Sequence, residues 1–199
     1  MREADFASIE RIGVGQFATV HSSRVSGGKF AAVKIWHRPV AITDANDLPS
    51  GSDYDEPLPI DLADIACFAQ EVALLASSDL AHPNVVKYLG HGFVPIPGTN
   101  RVRGFVAMEL VEGETYYEFR ERAPQEELNR TARVLYEFVF GTFHRHGLFN
   151  ADPHPGNYVF LGDGRVAFLD FGCVQDFPIE VPASFARMLR LLGARPGQL

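Results

Sequence analysis

The stretch NADPHPGN at residues 150–157, followed by LDFG at residues 169–172, decides how this sequence is interpreted. Asp152 lies five residues before Asn157 and eighteen before Asp170, which leaves room for a β-hairpin between the two segments. Asp170 and Asn157 offer the oxygen ligands that Mg²⁺ takes beside phosphate oxygens, and Asp152 is then free to receive or steer a proton. Phosphoryl transfer needs these parts, because it depends on charge neutralisation and an oriented attacking oxygen. The alternative is that the three side chains are turn residues beside short strands.

A glycine-rich turn near the N-terminus is the second chemical signal. The segment GVGQFATV at residues 13–20 fits the pattern G-x-G-x-x-G-x-V, with Ala18 in place of the third glycine. Gly13 and Gly15 would let a backbone hairpin lie over phosphates and aim its N–H groups at them. A strand follows the glycines here, whereas a dinucleotide-binding site would need a helix at that point. An ordinary hairpin turn is the alternative.

A lysine in an apolar strand is the third signal. The segment AAVK at residues 31–34 is similar to the V-A-I-K strand that places a lysine against nucleotide phosphates. Lys34 is flanked by Val33 and Ile35, so its charge needs an anionic partner. Glu71, midway along the next predicted helix, is the candidate for that ion pair. The alternative is that Glu71 is a surface carboxylate.

The pattern of apolar residues predicts an α+β fold with two lobes. Residues 1–111 form the first lobe, with a small sheet and one helix, and residues 112–199 form a partial, mainly helical second lobe. The predicted strands cover residues 9–12, 18–23, 30–36, 85–89 and 104–111, with a hairpin over 158–169, and the predicted helices cover 62–78, 124–146 and 182–192. The segment 38–61 is predicted to be an exposed loop, and cation binding by its acidic residues is the alternative.

Composition restricts the class of partner and compartment. The formal net charge is −7 and no Lys/Arg run is present, which argues against nucleic acid and anionic membrane surfaces. Cys67 and Cys173 are the two cysteines and form no CxxC pattern, so a reducing compartment is expected. No secretory leader is seen at the start of the sequence and no apolar run is long enough for a transmembrane helix, so we expect a cytoplasmic protein.

The segment GLFNADPHPGN at residues 147–157 resembles the GFFHADPHPGN signature of the ABC1/UbiB/ADCK atypical kinases. The resemblance implies a protein-kinase-like fold that uses ATP and Mg²⁺, with Asp152 as the catalytic-loop aspartate and Asn157 and Asp170 as metal ligands. It also implies that Lys34 and Glu71 form the ion pair, and that His154 lies where protein kinases carry a lysine that faces the γ-phosphate. A loop-packing histidine is the alternative for His154. The remaining nucleotide contacts implied are an adenine pocket lined by Val20, Ala32 and Val159, and a hinge backbone from Glu109 to Val111.

Several positions depart from that family. Gly13 and Gly15 stand where the family has an alanine-rich loop, the K-x-G-Q segment is absent, and Asn150 replaces a histidine. The motifs and the resemblance together lead us to expect an ATP- and Mg-dependent atypical kinase or ATPase. Such an enzyme would transfer the phosphoryl group to a non-protein acceptor or to water. The alternatives are an aminoglycoside-phosphotransferase-like small-molecule kinase and a truncated ATP-binding pseudokinase or scaffold.

The second lobe is predicted to be C-terminally short. The helix over 124–146 carries an apolar stripe, and only one further helix, over 182–192, is available to cover it. We therefore expect either self-association or a further C-terminal segment that covers an exposed apolar face. The residues of the predicted stripe are Leu128, Ala132, Leu135, Val139 and Phe143.

Overall fold

A computed structural model of the chain describes residues 9–15, 17–24, 29–41, 60–77 and 82–191. The chain divides into two compact units. The first contains Met1–Glu112 together with Ala167–Gly172, and the second contains Gly113–Val166 together with Cys173–Leu199. Most of the segment 38–61, which is predicted to be an exposed loop, lies outside the described residues.

The first unit is built on an antiparallel sheet. Its strand order is β1-β2-β3-β6-β4, with β5 on the other edge of β6. The three strands predicted at the N-terminus are confirmed, and the predicted strand over 104–111 is found a few residues earlier. The strands are β1 Ile9–Val14, β2 Ala18–Arg24, β3 Phe30–Trp36, β4 Val40–Ala41, β5 Tyr88–Pro95 and β6 Arg101–Glu109.

The strand predicted over residues 85–89 is wrong in its placement. Strand β5 begins at Tyr88 and runs to Pro95, well beyond the predicted end at residue 89. Val85 forms only an isolated parallel bridge with Phe168. Gly90 and Gly92 interrupt the apolar run of this segment, so the sequence pattern was weak. The strand exists because its backbone pairs with β6 from Tyr88–Met108 to Pro95–Val102.

Helix α1, Ile60–Ala76, is the one helix among the described residues of this unit, and it packs on the lysine-bearing face of β3. Phe68 contacts Trp36 edge-on, with ring centroids 5.0 Å apart. A Cβ at Gly104 would lie only 3.0 Å from the Phe68 ring, so the glycine leaves room for this helix. Glu71 follows Phe68 by three residues, and residues at that spacing share a helix face. The packing of Phe68 therefore turns Glu71 towards the same side of the sheet.

The second unit is mainly helical. Helix α2, Tyr116–Arg122, was not predicted, although the capping box of Thr115 and Glu118 marks its start. Phe119 of α2 is buried and stacks on Phe160, with centroids 4.5 Å apart. The other elements are α3 Gln125–Tyr136, a π-helical turn Glu137–Gly141, α4 Thr142–His146, β7 Leu148–Asn150, a 3₁₀ turn Pro155–Asn157, β8 Tyr158–Phe160, β9 Val166–Phe168, β10 Val174–Asp176 and α5 Glu180–Leu191.

The long helix predicted over 124–146 is present, but it is not uniform. Between α3 and α4 the five residues Glu137–Gly141 form a π-helical turn, where the Thr142 hydroxyl donates to the carbonyl of Phe138. Of the predicted apolar stripe, Val139 is buried, whereas Ala132 is exposed and Thr131 is buried in its place. The apolar pattern thus predicts the helix correctly, but it assigns the buried face to Ala132 instead of Thr131.

The observed elements confirm the predicted α+β class, with a sheet and one helix in one unit and mainly helical structure in the other. Gly147 ends α4 in the left-handed conformation, with φ of 73°, as expected for a glycine after a helix. None of the helices within the described ranges is long and apolar enough to cross a membrane.

Candidate functional site

Three charged side chains of separate sequence motifs meet in the first unit. The Lys34 ammonium donates hydrogen bonds to Glu71 Oε1 and Oε2 at 3.0 and 2.8 Å. It also lies 2.9 Å from Asp170 Oδ2. Glu71 is fully buried and Lys34 is nearly so, while the Asp170 side chain keeps 33% of its surface exposed. One cation thus serves two carboxylates, of which only Asp170 is open to solvent.

The protonation behaviour of this cluster follows from burial and from its charge balance. Burial raises the pKa of Glu71 to about 7, and the nearby Asp170 carboxylate adds to that effect. Lys34 and the backbone N–H of Phe171 act in the opposite direction without cancelling the burial cost. For Lys34, burial opposes the charged form, but the two carboxylates outweigh it and raise the pKa above its usual value. The ammonium is therefore charged, and the cluster carries excess negative charge when both carboxylates ionise.

Backbone contacts hold Asp170 beside Lys34. The N–H of Phe168 donates to the carbonyl of Asn84 at 2.8 Å, which anchors the segment before Asp170 to the turn that follows α1. The N–H of Gly172 donates to Asp170 Oδ1 at 2.9 Å. A Cβ at Gly172 would lie 3.3 Å from that oxygen and 3.4 Å from Glu71 Oε2, so glycine fits closely there. These contacts join residues 167–172 to the first unit.

The glycine-rich segment forms the predicted hairpin between β1 and β2. Gly13 pairs with Val20 after an irregularity in the β1 register, and Gly15 donates its N–H to the carbonyl of Ala18 at 2.8 Å. The tip is fastened to the end of β3 by His37. Its N–H donates to Phe17 O at 2.9 Å, and its Nε2 lies 2.7 Å from the hydroxyl of Thr19.

The predicted adenine and hinge residues of the first unit lie on consecutive strands. Val20 pairs with Lys34 across β2 and β3, and Ala32 pairs with Met108 across β3 and β6. Glu109 ends β6, and its carboxylate accepts the Lys87 N–H at 2.8 Å. Lys87 returns the contact, because its carbonyl accepts the N–H of Glu109 at 2.9 Å. Val111 follows in the segment that leads out of this unit.

The predicted catalytic loop belongs to the second unit. Asn157 Nδ2 donates to Asp152 Oδ2 at 3.0 Å and to the Asp152 carbonyl at 3.1 Å. This orientation leaves Asn157 Oδ1 without a hydrogen-bond partner among the described residues. Burial, and to a lesser degree the Asp152 carboxylate, raises the pKa of Tyr158. The side chains of Asp152 and Asn157, which lie five residues apart in the sequence, are thus in direct contact.

His154 and Val159 complete the predicted set in this unit. His154 is exposed, and its Nδ1 accepts the N–H of Gly156 at 3.0 Å, so Nε2 is the ring nitrogen that this contact leaves available. Val159 lies against Gly113, where an added Cβ would be 2.5 Å from Val159 Cγ1. The candidate residues thus fall into two sets, one for each unit. The first unit holds Gly13, Gly15, Val20, Ala32, Lys34, Glu71, Glu109, Val111 and Asp170, and the second holds Asp152, His154, Asn157 and Val159.

Asn150 is a residue of this loop to which sequence reasoning gave no role. It is 5% exposed, and its Oδ1 accepts the N–H of Asp152 at 3.0 Å. An asparagine that caps the N–H two residues later is a known turn pattern. The triplet NAD of residues 150–152 carries this signal in the sequence, because asparagine is frequent at the first position of such turns.

The oxygen donors of Asp170 and Asn157 suit Mg²⁺, which prefers carboxylate and amide oxygens alongside phosphate. Within the described ranges, no group of three or more His, Cys, Asp or Glu side chains could hold a metal ion.

Comparison with known proteins identifies the class. Residues 99–195 match the family described as the ABC1 atypical kinase-like domain. This match confirms, over residues 99–195, the resemblance inferred from the sequence.

The chain also has local similarity to individual proteins. The chain is 54% identical over 35 residues to Protein ACTIVITY OF BC1 COMPLEX KINASE 3, chloroplastic, of Arabidopsis thaliana, which is 18% of this chain and 5% of the relative. It is 44% identical over 46 residues to an uncharacterized chloroplastic aarF domain-containing protein kinase of the same plant, covering 23% of this chain and 7% of the relative. It is 31% identical over 86 residues to the KEOPS complex subunit Bud32 of Pyrococcus abyssi, covering 43% of this chain and 38% of that protein. The matched segments thus span well under half of each relative.

Proposed function

We propose that this chain binds Mg-ATP and transfers the γ-phosphoryl group to a non-protein acceptor or to water, as an ABC1-type atypical kinase or ATPase. The observation that carries the proposal is the Lys34 ammonium between Glu71 and Asp170, at 2.8 and 2.9 Å. A lysine anchored by a buried glutamate is the arrangement that presents a fixed positive charge to nucleotide phosphates. The cost of burying Glu71 is otherwise unexplained, because an apolar residue would pack there without desolvation.

The resemblance to the ABC1 kinases implies a role for each remaining residue. Asp170 and Asn157 would hold Mg²⁺, which supplies charge neutralisation for the phosphates when bound. Gly13 and Gly15 would let the hairpin backbone approach the phosphates, and Val20, Ala32 and Val159 would contact the adenine, with the backbone of Glu109 to Val111 beside it. Asp152 would receive or steer the proton of the attacking oxygen. His154 would offer its Nε2, which the contact with Gly156 leaves available, to the transferred group.

A second candidate is a phosphotransferase for a soluble small molecule, similar to the aminoglycoside phosphotransferases. His154 favours it, since the sequence has a histidine where protein kinases have a lysine. The two candidates differ in the acceptor, so hydrolysis of ATP in the absence of any acceptor separates an ATPase from a strict small-molecule kinase. A cytoplasmic location remains part of the proposal; the two plant relatives are named as chloroplastic.

Titration calorimetry with ATP, with and without Mg²⁺, tests the proposal. We expect Mg²⁺-dependent binding that Asp170→Asn weakens strongly and Asp152→Asn leaves intact, while Asp152→Asn abolishes turnover. Asp163→Asn is the matched control, because Asp163 is an exposed aspartate paired with Arg165 in a surface turn. Folded wild-type protein that binds no ATP in the presence of Mg²⁺ would refute the proposed function. Binding without turnover would instead support a pseudokinase.

A further inference from the structure

Asn150 is buried, and a buried polar side chain destabilises the folded protein unless it forms hydrogen bonds. It ends strand β7 and pairs with Val174 of β10, and it is 5% exposed. A buried amide that forms no hydrogen bonds destabilises the folded protein, because it has lost its contacts with water. The side-chain oxygen of Asn150 avoids this cost by accepting the N–H of Asp152 at 3.0 Å.

The hydrogen bond between the Asn150 side chain and the Asp152 N–H determines how the chain continues after strand β7. Ala151 still bonds to the neighbouring segment, because its N–H donates to the carbonyl of Cys173 at 3.1 Å. At Asp152 the N–H turns to the side chain of Asn150 instead. Since the partner is a side chain two residues earlier, the backbone bends at this point.

Asp152 is held from its other side by Asn157. The Asn157 amide donates to the Asp152 carbonyl and to its carboxylate Oδ2, at 3.1 and 3.0 Å. The backbone N–H, the carbonyl and the carboxylate of Asp152 therefore each have a partner, and two asparagines supply all three. Ala151 is exposed and contributes only its backbone contact. Of these contacts, the one made by Asn150 holds the backbone N–H of Asp152.

We propose that Asn150 is a positioning residue for the phosphoryl transfer, which sets the direction of the Asp152 carboxylate by holding its backbone N–H. This inference rests on the proposed function, in which Asp152 steers the proton of the attacking oxygen. Asn150 touches neither nucleotide nor acceptor. Its loss should therefore lower kcat and leave the affinity for Mg-ATP unchanged, because small errors in the placement of a catalytic group reduce rate more than binding.

The test compares three variants. Asn150→Leu keeps the shape of the side chain and removes the acceptor, and we expect kcat to fall by about 10- to 100-fold with the Kd of Mg-ATP unchanged. Asn150→Asp keeps the acceptor, and its kcat should lie between those of the wild type and Asn150→Leu. Asn129→Leu, on exposed helix α3, makes the same chemical change away from the loop and should behave as the wild type.

A second readout does not depend on turnover. Amide hydrogen exchange measured by NMR should be faster at Asp152 in Asn150→Leu, while exchange in β6 stays unchanged. If Asn150→Leu does not fold, Asn150→Ser is measured by both methods, since its shorter hydroxyl reaches the N–H less well. An unchanged kcat, or equal exchange at Asp152, would overturn the inference. A wild-type chain without turnover would refute the proposed function, and the exchange measurement would still decide whether Asn150 holds Asp152.

Discussion

Lys34 Nζ lies 2.8 Å from Glu71 Oε2 in a setting where the carboxylate is completely buried. The two residues are far apart in sequence, and the pair forms because Phe68 packs helix α1 against the lysine-bearing face of β3. Asp170 joins the same ammonium from the segment that follows β9. The consequence is a cluster with more carboxylate than ammonium charge, and this determines how the protein responds to pH.

The stability of the protein should decrease as pH rises from about 5 to 7 because of Glu71. Burial raises the pKa of Glu71 from 4.5 to about 7, so in this range the folded state keeps a proton that the unfolded chain has lost. The free energy of unfolding then falls with pH and levels off above about 7, with a total change on the order of 3 kcal/mol. Urea unfolding at several pH values between 5 and 8 measures this change.

Two substitutions assign the effect to Glu71. Glu71→Gln keeps an oxygen that accepts from Lys34 but cannot ionise, so this variant should lose that part of the pH dependence. Glu126→Gln, at an exposed position of α3, should keep the wild-type profile. If Glu71→Gln and the wild type show the same slope, the pH dependence does not come from Glu71.

Gly147→Ala should lower the free energy of unfolding of the second unit by more than the cost of placing an alanine at a positive φ. Gly147 has φ of 73°, and an added Cβ would also lie less than 3.0 Å from the carbonyl oxygen of Phe177. Gly98 has φ of 74° with no atom within 4 Å of the same position, so Gly98→Ala carries the conformational cost without the clash. We expect a loss of about 1–2 kcal/mol for Gly98→Ala and about 1–3 kcal/mol more for Gly147→Ala. Equal melting temperatures for the two variants would contradict the steric argument.

The protein should not phosphorylate protein substrates efficiently. Only residues 173–179 lie between Gly172 and α5, and three of them form β10, which pairs with β7. Protein kinases bind their peptide on a longer activation segment that ends in A-P-E, which is absent from this sequence. Radiolabelled ATP with casein and histone mixtures should give no more labelling than the Asp152→Asn variant. Strong labelling that Asp152→Asn abolishes would show the opposite.

The isolated chain should self-associate at micromolar concentration. Helices α3, α5 and the π-helical turn expose large apolar side chains, including Tyr136 at 41%, Phe140 at 37% and Met188 at 46%. The rings of Tyr136 and Phe140 are neighbours, with centroids 4.9 Å apart. An exposed apolar patch on a monomer usually marks a contact with another chain or aggregation. The double variant Phe140→Gln, Met188→Gln should reduce the scattering mass, whereas Glu137→Gln should not. A monomer in light scattering that binds no ANS and unfolds cooperatively would contradict this prediction.

Much of the fold was predictable because its signals are local. The strands over Ile9–Val14, Ala18–Arg24 and Phe30–Trp36 follow from short apolar runs separated by glycine-containing turns. The long helix up to His146 follows from its apolar spacing and from Gly147 at its end. The motif residues of the candidate site could be found in the same way, since each motif is a short pattern of residue types.

Other features depended on contacts between distant segments. Strand β5 forms where β6 offers pairing partners, although Gly90 and Gly92 weaken its own pattern. The inward face of α3 is marked by Thr131 rather than Ala132, because packing in the second unit decides which side of a helix is covered. Helix α2 differs from these features, because the capping box of Thr115 and Glu118 is a local sequence signal for its start, although the helix was not predicted.

The sequence alone determined which residues could do chemistry: a strand lysine, a helix glutamate, and the aspartates and asparagine of residues 152–170. Only the tertiary structure decided that Lys34 is shared between Glu71 and Asp170, and that Asn150 holds the N–H of Asp152. The physical reason is that residue types and spacing are written in the chain, whereas burial and hydrogen-bond partners arise when distant segments pack. A glutamate has an ordinary pKa until its surroundings exclude water, and no local pattern reports that exclusion.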